Sequence, residues 1–131
     1  MKLINPDELG VPRGYSNGVL TPAGAQILFV AGQIGWNRNQ DLVSESFIEQ
    51  FEQALRNVVA VVTAAGGVPE NLARLTVFVT DKQDYLADLE AIGQAYRRVM
   101  GRHFPAMSLV EVQALLEPGA KVEIEGTAAI A

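Results

Sequence analysis

Only two stretches of this 131-residue chain carry a one-faced helical stripe; its other apolar runs read as strands. The first stripe is Phe47, Phe51, Leu55, Val58, Val59 and Val62, spaced at about 3.6 residues. The second is Tyr85, Leu89, Ile92, Tyr96 and Val99, in a helix expected from about Lys82 to Gly101. Strands are expected at residues 15–20, 26–34, 72–80, 107–115 and 120–130, which gives the order β-β-α-β-α-β-β. Two helices cannot cover both faces of such a sheet. The expected class is therefore α+β, with a mixed sheet and both helices on one face. The bare face needs a partner, and a symmetric copy of the same chain is the simplest one.

Local signals set the element ends. Thr21-Pro22-Ala23-Gly24 is a turn cluster that favours a hairpin between the first two strands. Ser46-Phe47-Ile48-Glu49 is a capping box that starts the first helix, and Gly66-Gly67 ends it. Glu52 and Arg56 form an i,i+4 pair on its polar face. Asp81 is a candidate cap for the second helix. Gly93 inside that helix costs about 1 kcal/mol relative to Ala, which suggests close backbone packing. Glu117-Pro118-Gly119 separates the last two strands.

Composition narrows the function classes. With no cysteine, the chain is expected to be one domain over residues 1–131 without disulfides. A hydrophobic fraction of 49% is high for a domain of this size and points to a subunit interface. No stretch approaches the ~20 apolar residues of a membrane span. Residues 1–10 contain Asp7 and Glu8 and lack the apolar core of a signal peptide, so a cytoplasmic location without membrane partners is expected. The net charge of −5 repels phosphate backbones, and no basic block offsets it, so no nucleic-acid partner is expected. His103 is the only histidine, no nucleophile elbow accompanies it, and metal-ligand spacing is absent. No phosphate loop or dinucleotide fingerprint occurs, so neither metal nor cofactor is expected.

Glu123 and Glu125 lie two apart on the last strand, so their side chains share one face. Read alone, they fit a solvated or ion-paired strand face. Tyr15, at a strand start, fits an amphipathic rim. Gly32 permits either close backbone approach to a ligand or a simple bulge. Trp36 reads as a packing or interface anchor.

Four segments, taken together, change this weighting. Phe104-Pro105-Ala106-Met107-Ser108, followed by Val122-Glu123-Ile124-Glu125, closely resembles the C-terminal signature of the RidA/YjgF family. These are the reactive-intermediate deaminases, also called endoribonuclease L-PSP. Gly14-Tyr15-Ser16, Ala31-Gly32-Gln33-Ile34 and Leu75-Thr76-Val77-Phe78-Val79-Thr80-Asp81 match further family segments in the same order. The resemblance spans roughly residues 14–130. It implies a chorismate-mutase-like fold, assembled as a homotrimer with small-metabolite clefts between subunits.

The resemblance also implies roles. Glu123 matches the acid that orients or activates the water attacking an imine carbon, and Glu125 is structural. Tyr15, Gly32 and Gln33 line the cleft. Met107 stands where archetypal members carry the arginine that clamps the substrate carboxylate. Methionine offers no donor, so a small α-imino acid would bury its carboxylate unpaired there. The family's pocket asparagine has no counterpart in Leu89–Tyr96, where one residue is inserted. Arg13, Arg102 and His103 are the cations that could compensate, although Arg102 and His103 read more readily as surface-loop residues. The expected function is imine or enamine deamination, or a related hydrolysis of C–N bonds, with an altered substrate range. The alternative is a non-catalytic ligand-binding or sensor module. RNA cleavage, the family's older label, is disfavoured by the acidic charge.

Overall fold

The computed structural model describes residues 1–131. Its strands are β1 (Lys2–Ile4), β2 (Gly18–Leu20), β3 (Gln26–Ile34), β4 (Leu72–Val79), β5 (Ala106–Glu111) and β6 (Val122–Ile130). Its helices are α1 (Phe47–Ala64), α2 (Lys82–Leu86) and α3 (Leu89–Met100). The main sheet has the order β3-β6-β4-β5, with β6 antiparallel to both neighbours and β4 parallel to β5. The mixed sheet and α+β class are as expected. No helix is long and apolar enough to cross a membrane.

Alternation along β4 and β6 separates two faces. Leu72, Leu75, Val77 and Val79 join Val122, Ile124 and Ala128 in the core beneath Phe51, Leu55, Val58 and Val62 of α1 and Ile92, Ala95 and Tyr96 of α3. Thr76, Phe78, Glu123, Glu125 and Thr127 lie on the other face. There β3 adds Ile27 and Phe29, which are 50% and 80% exposed. β5 adds Val110. This face carries no helix.

The first helix forms as its stripe predicts. Ser46 caps it, its side chain accepting from the Glu49 N–H at 3.4 Å, and Gly66 turns the chain away at φ 88°. Glu52 bonds Arg56, as the spacing suggests, and also Arg98 of α3, so one carboxylate ties the two helices together. Its pKa lies below the ordinary value because Arg98, and then Arg56, donate to the ionised form against the opposing effect of burial.

Three expectations need correction. The first two strands do not form a hairpin. The turn at Pro22–Gly24 exists, with Gly24 at φ 78°, but β2 pairs with β1 instead of β3. Ser16 explains this: its N–H donates to Pro105 O and its hydroxyl to Phe104 O, which draws the segment to the β5 edge. The second helix is two helices. Asp88 leaves the helical region at φ −149° and caps α3 by accepting from the Ala91 N–H at 3.0 Å. β5 stops at Glu111 instead of running to 115. Past it, Val112 N–H still bonds Val79 O, and the Glu111 carboxylate turns to accept from Lys82 N–H at 2.9 Å.

One buried polar side chain joins three segments. Gln50 of α1 donates through Nε2 to Ser44 O and Gly119 O, and its Oε1 accepts from Lys121 N–H. Its backbone is approached so closely that a Cβ on Gly35 would lie 2.6 Å from Gln50 Cα, so only glycine fits at the end of β3. Gln50→Leu keeps the volume but leaves three backbone groups without this partner. It is expected to lower unfolding free energy by about 3 kcal/mol, at roughly 1 kcal/mol per bond, read by urea denaturation.

Candidate functional site

The segments that carry the family resemblance converge in two places. The first begins with the pinning of Ser16 to the start of β5. Because Ser16 is 4% exposed and bonded on both its N–H and hydroxyl, Tyr15 is fixed beside Met107. The two line a shallow cavity of about 210 Å³ with Asn17, Arg74, Ala106 and Ser108.

Met107 also opens onto a deeper cavity. It pairs with Leu75 across the parallel ladder, so it points to the helix-covered face, as Leu109 does beside Val77. There α2, α3 and the sheet enclose about 330 Å³ lined by Phe51, Tyr85, Phe104, Met107 and Leu109, with Arg13 and Arg97 also on its wall. Tyr96 holds the rear of this cavity. Its ring stacks on Phe104 at 5.2 Å and 7°, and its hydroxyl donates to His103 O at 2.5 Å. Burial pushes the hydroxyls of Tyr85 and Tyr96 above the ordinary tyrosine value, with Tyr85 adding to the effect at Tyr96. Both therefore stay neutral donors at physiological pH.

The second place is the centre of the open face. Gly32 lies against Glu123: a Cβ there would be 2.7 Å from Cδ and 2.9 Å from Oε2 of the carboxylate. Glycine at this position lets the carboxylate rest on the β3 backbone, at the register shift between Val30 and Gln33. Gln33 pairs with Ile124, and its side chain donates back to Ala31 O at 3.1 Å. Glu125 is exposed opposite Thr76.

The sequence-derived site residues thus fall into two groups. Tyr15 and Met107 come together, and so do Gly32 and Glu123, while Gln33, next to Gly32 in β3, pairs with Ile124. Within one protomer the groups stay apart, because Glu123 pairs with Phe78 while Met107 pairs with Leu75, on opposite faces of β4.

Among the cations weighed as compensating for Met107, Arg13 shares its cavity. Arg102 stands exposed in a turn, and His103 Nε2 is engaged by Leu72 O at 2.6 Å. Arg97 was not foreseen. Its guanidinium lies over Gly93, where a Cβ would meet Nη1 at 3.3 Å. Gly93 therefore accommodates a charged side chain one turn along the helix, and the close backbone packing expected there is absent. The pairing of a helical glycine with an arginine four residues on was the available signal.

Known proteins resemble the chain in sequence and in fold. The family described as Endoribonuclease L-PSP matches residues 7–130. The 2-iminobutanoate/2-iminopropanoate deaminase of Homo sapiens is 31% identical over 115 residues, covering 87% of this chain and 78% of that protein. A Rid-family protein of unknown function from Yersinia pestis, YyfB, superposes with a TM-score of 0.85 at 33% identity, covering 98% of both chains. E. coli TdcF, solved with bound serine, superposes with a TM-score of 0.69 at 29% identity over the full length of both. The fold is the chorismate-mutase-like one, its second helix divided at Asp88. Matched along nearly all its length and in its three-dimensional course, the chain belongs to the endoribonuclease L-PSP family, the RidA/YjgF proteins.

Proposed function

We propose that this chain is a Rid-type enzyme that hydrolyses small imines or enamines to carbonyl compounds and ammonia. The observation that carries the reading is the half-buried carboxylate of Glu123 resting on the side-chain-free backbone of Gly32, on a sheet face without helical cover. Deaminase-named relatives at 31% to 37% identity support action on a small metabolite of this kind.

In the proposed reaction, Glu123 takes a proton from water as its oxygen bonds to the imine carbon. The C=N π electrons move to nitrogen, which receives the proton. The hydroxyl proton of the tetrahedral carbinolamine then passes, by way of Glu123, to the amine nitrogen, and ammonia leaves as the C–O bond becomes a carbonyl. Water is consumed, and no oxidant or reductant is needed. Tyr15 and the Gly32–Gln33 backbone position the substrate, and Met107 sets an apolar subsite.

This cleft needs more than one copy of the chain. Glu123 and Met107 face opposite sides of one sheet, so a site that uses both draws them from different subunits. A homotrimer of single-domain, cytoplasmic protomers is the assembly this reading requires.

Ammonia release from a panel of imines generated in situ tests the reaction. No release from any of them by the assembled protein would refute it and favour the non-catalytic binding module. Within the panel, 2-aminoacrylate should be a poor substrate because, even with Arg13 and Arg97 to meet its carboxylate, it leaves the apolar wall around Met107 uncovered. Met107→Arg is expected to raise that turnover about tenfold, since a charge-assisted bond is gained beside two existing cations that partly oppose it. A folded, assembled variant with no gain would show that the cleft has diverged beyond this residue.

A further inference from the structure

The cavity between α2, α3 and the sheet differs from the rest of the molecule in charge. The chain has 15 acidic and 10 basic residues, yet this cavity is lined by Arg13 and Arg97 with no Asp or Glu. Neither arginine has a carboxylate partner, because the ion pairs of the fold are those of Arg56 and Arg98 with Glu52. Both arginines are solvent-exposed at the wall of one apolar cavity, and each guanidinium presents the donor fork that fits a carboxylate.

The position of Arg97 is built. It lies one turn from Gly93, and the missing side chain there leaves room for the guanidinium along the cavity wall. Arg13 approaches from a separate segment, and the pinned Ser16 three residues on holds that segment near β5. The remaining lining is apolar or aromatic: Phe51, Ile92, Phe104, Met107 and Leu109, with the neutral hydroxyl of Tyr85. About 330 Å³ of such space exceeds what a three-carbon acid can fill.

We infer that this cavity takes a carboxylate with a bulky apolar or aromatic side chain, the carboxylate held by Arg97 and Arg13 and the side chain packed on Met107. This deepens the proposed deaminase reading, on which it rests for the class of acid. It gives Met107 a function: the cation has moved from β5 to α3 and the N-terminal segment, and the vacated strand position has become the apolar floor.

Calorimetric titration of the full chain with phenylpyruvate, a 2-oxo acid like the product of imine hydrolysis, tests the inference. Phenylpyruvate should bind at least about tenfold more tightly than pyruvate, which leaves most of the apolar wall uncovered. It should also bind more tightly than 3-phenylpropanamide, which lacks the charge. Arg97→Gln should weaken phenylpyruvate binding about tenfold or more while leaving the amide unchanged, and Arg97→Lys should recover part of the loss. Arg13→Gln, on another segment, should act in the same direction and decides the matter if the helix variant misfolds. Wild-type affinity for phenylpyruvate in both glutamine variants, or equal binding of pyruvate and phenylpyruvate, would overturn the site. Glu123→Gln should keep phenylpyruvate binding, which separates the two ideas. Charge-dependent binding without turnover of any imine leaves the cavity standing and removes the deaminase. Turnover with both arginines indifferent does the reverse.

Discussion

Glu123→Gln is expected to lower kcat for imine hydrolysis by about 10²- to 10⁴-fold, the usual contribution of a positioned general acid or base. The substitution is nearly isosteric, so the fit against Gly32 survives while the ability to take and return a proton is lost. Because the residue acts on water and the reacting carbon, KM should change little and the loss should appear in kcat. Glycine 32 supplies an independent check. Gly32→Ala would place a methyl group 2.7 Å from Cδ of Glu123, so the carboxylate must swing aside. That variant should lose activity through misplacement while keeping the acid itself. Ammonia release by Glu123→Gln at the wild-type rate would remove Glu123 from the mechanism, whatever the effect of Gly32→Ala.

The elements were legible in the sequence wherever one local signal decided them. The stripe of α1 and its Ser46 cap needed no tertiary information, and the alternation of β6 placed Glu123 and Glu125 on a common face. What was hidden depended on partners distant in the chain. The turn before β3 carries every hairpin residue, but Ser16 is bonded to Phe104 and Pro105, so the preceding strand belongs elsewhere. Asp88 lies within a continuous apolar stripe, and only its capping of Ala91 shows that the helix restarts there. Leu89, counted in the buried stripe, is 55% exposed at the cavity wall as a result of that break.

The residues proposed for the site could be named from the sequence, but their spatial relation could not. Motif matching brought Glu123 and Met107 into one cleft, whereas the register of β4 puts them on opposite faces. Arg97 escaped notice because an arginine on a helix beside Arg98 reads as solvated surface. Its significance comes from Gly93 beneath it and from the absence of any acid around the cavity.

Replacement of Phe29 by aspartate is expected to convert the assembled protein to monomers and to abolish turnover, while the protomer stays folded. Phe29 is 80% exposed in the single chain, so its removal there gives up little burial and should cost under about 1 kcal/mol. Ile27, at 50% exposure, is its neighbour along β3, and Val110, at 43%, lies on β5 at the opposite edge of the same face. Exposed apolar side chains at both edges of a sheet face without helical cover match an interface better than a solvated surface. In an assembly that covers it, an aspartate at 29 would lose its hydration with no cation beside it in β3 or β6, and a symmetric trimer would meet that cost three times. Light scattering should therefore give three protomers for wild type and one for Phe29→Asp, with unchanged far-ultraviolet circular dichroism. Because Glu123 and the Met107 cavity belong to opposite faces of one sheet, the monomer should be inactive even though every side chain of the proposed site is present. A wild-type monomer at micromolar concentration would contradict the trimer, and an active Phe29→Asp monomer would show that one chain can bring both halves of the site together.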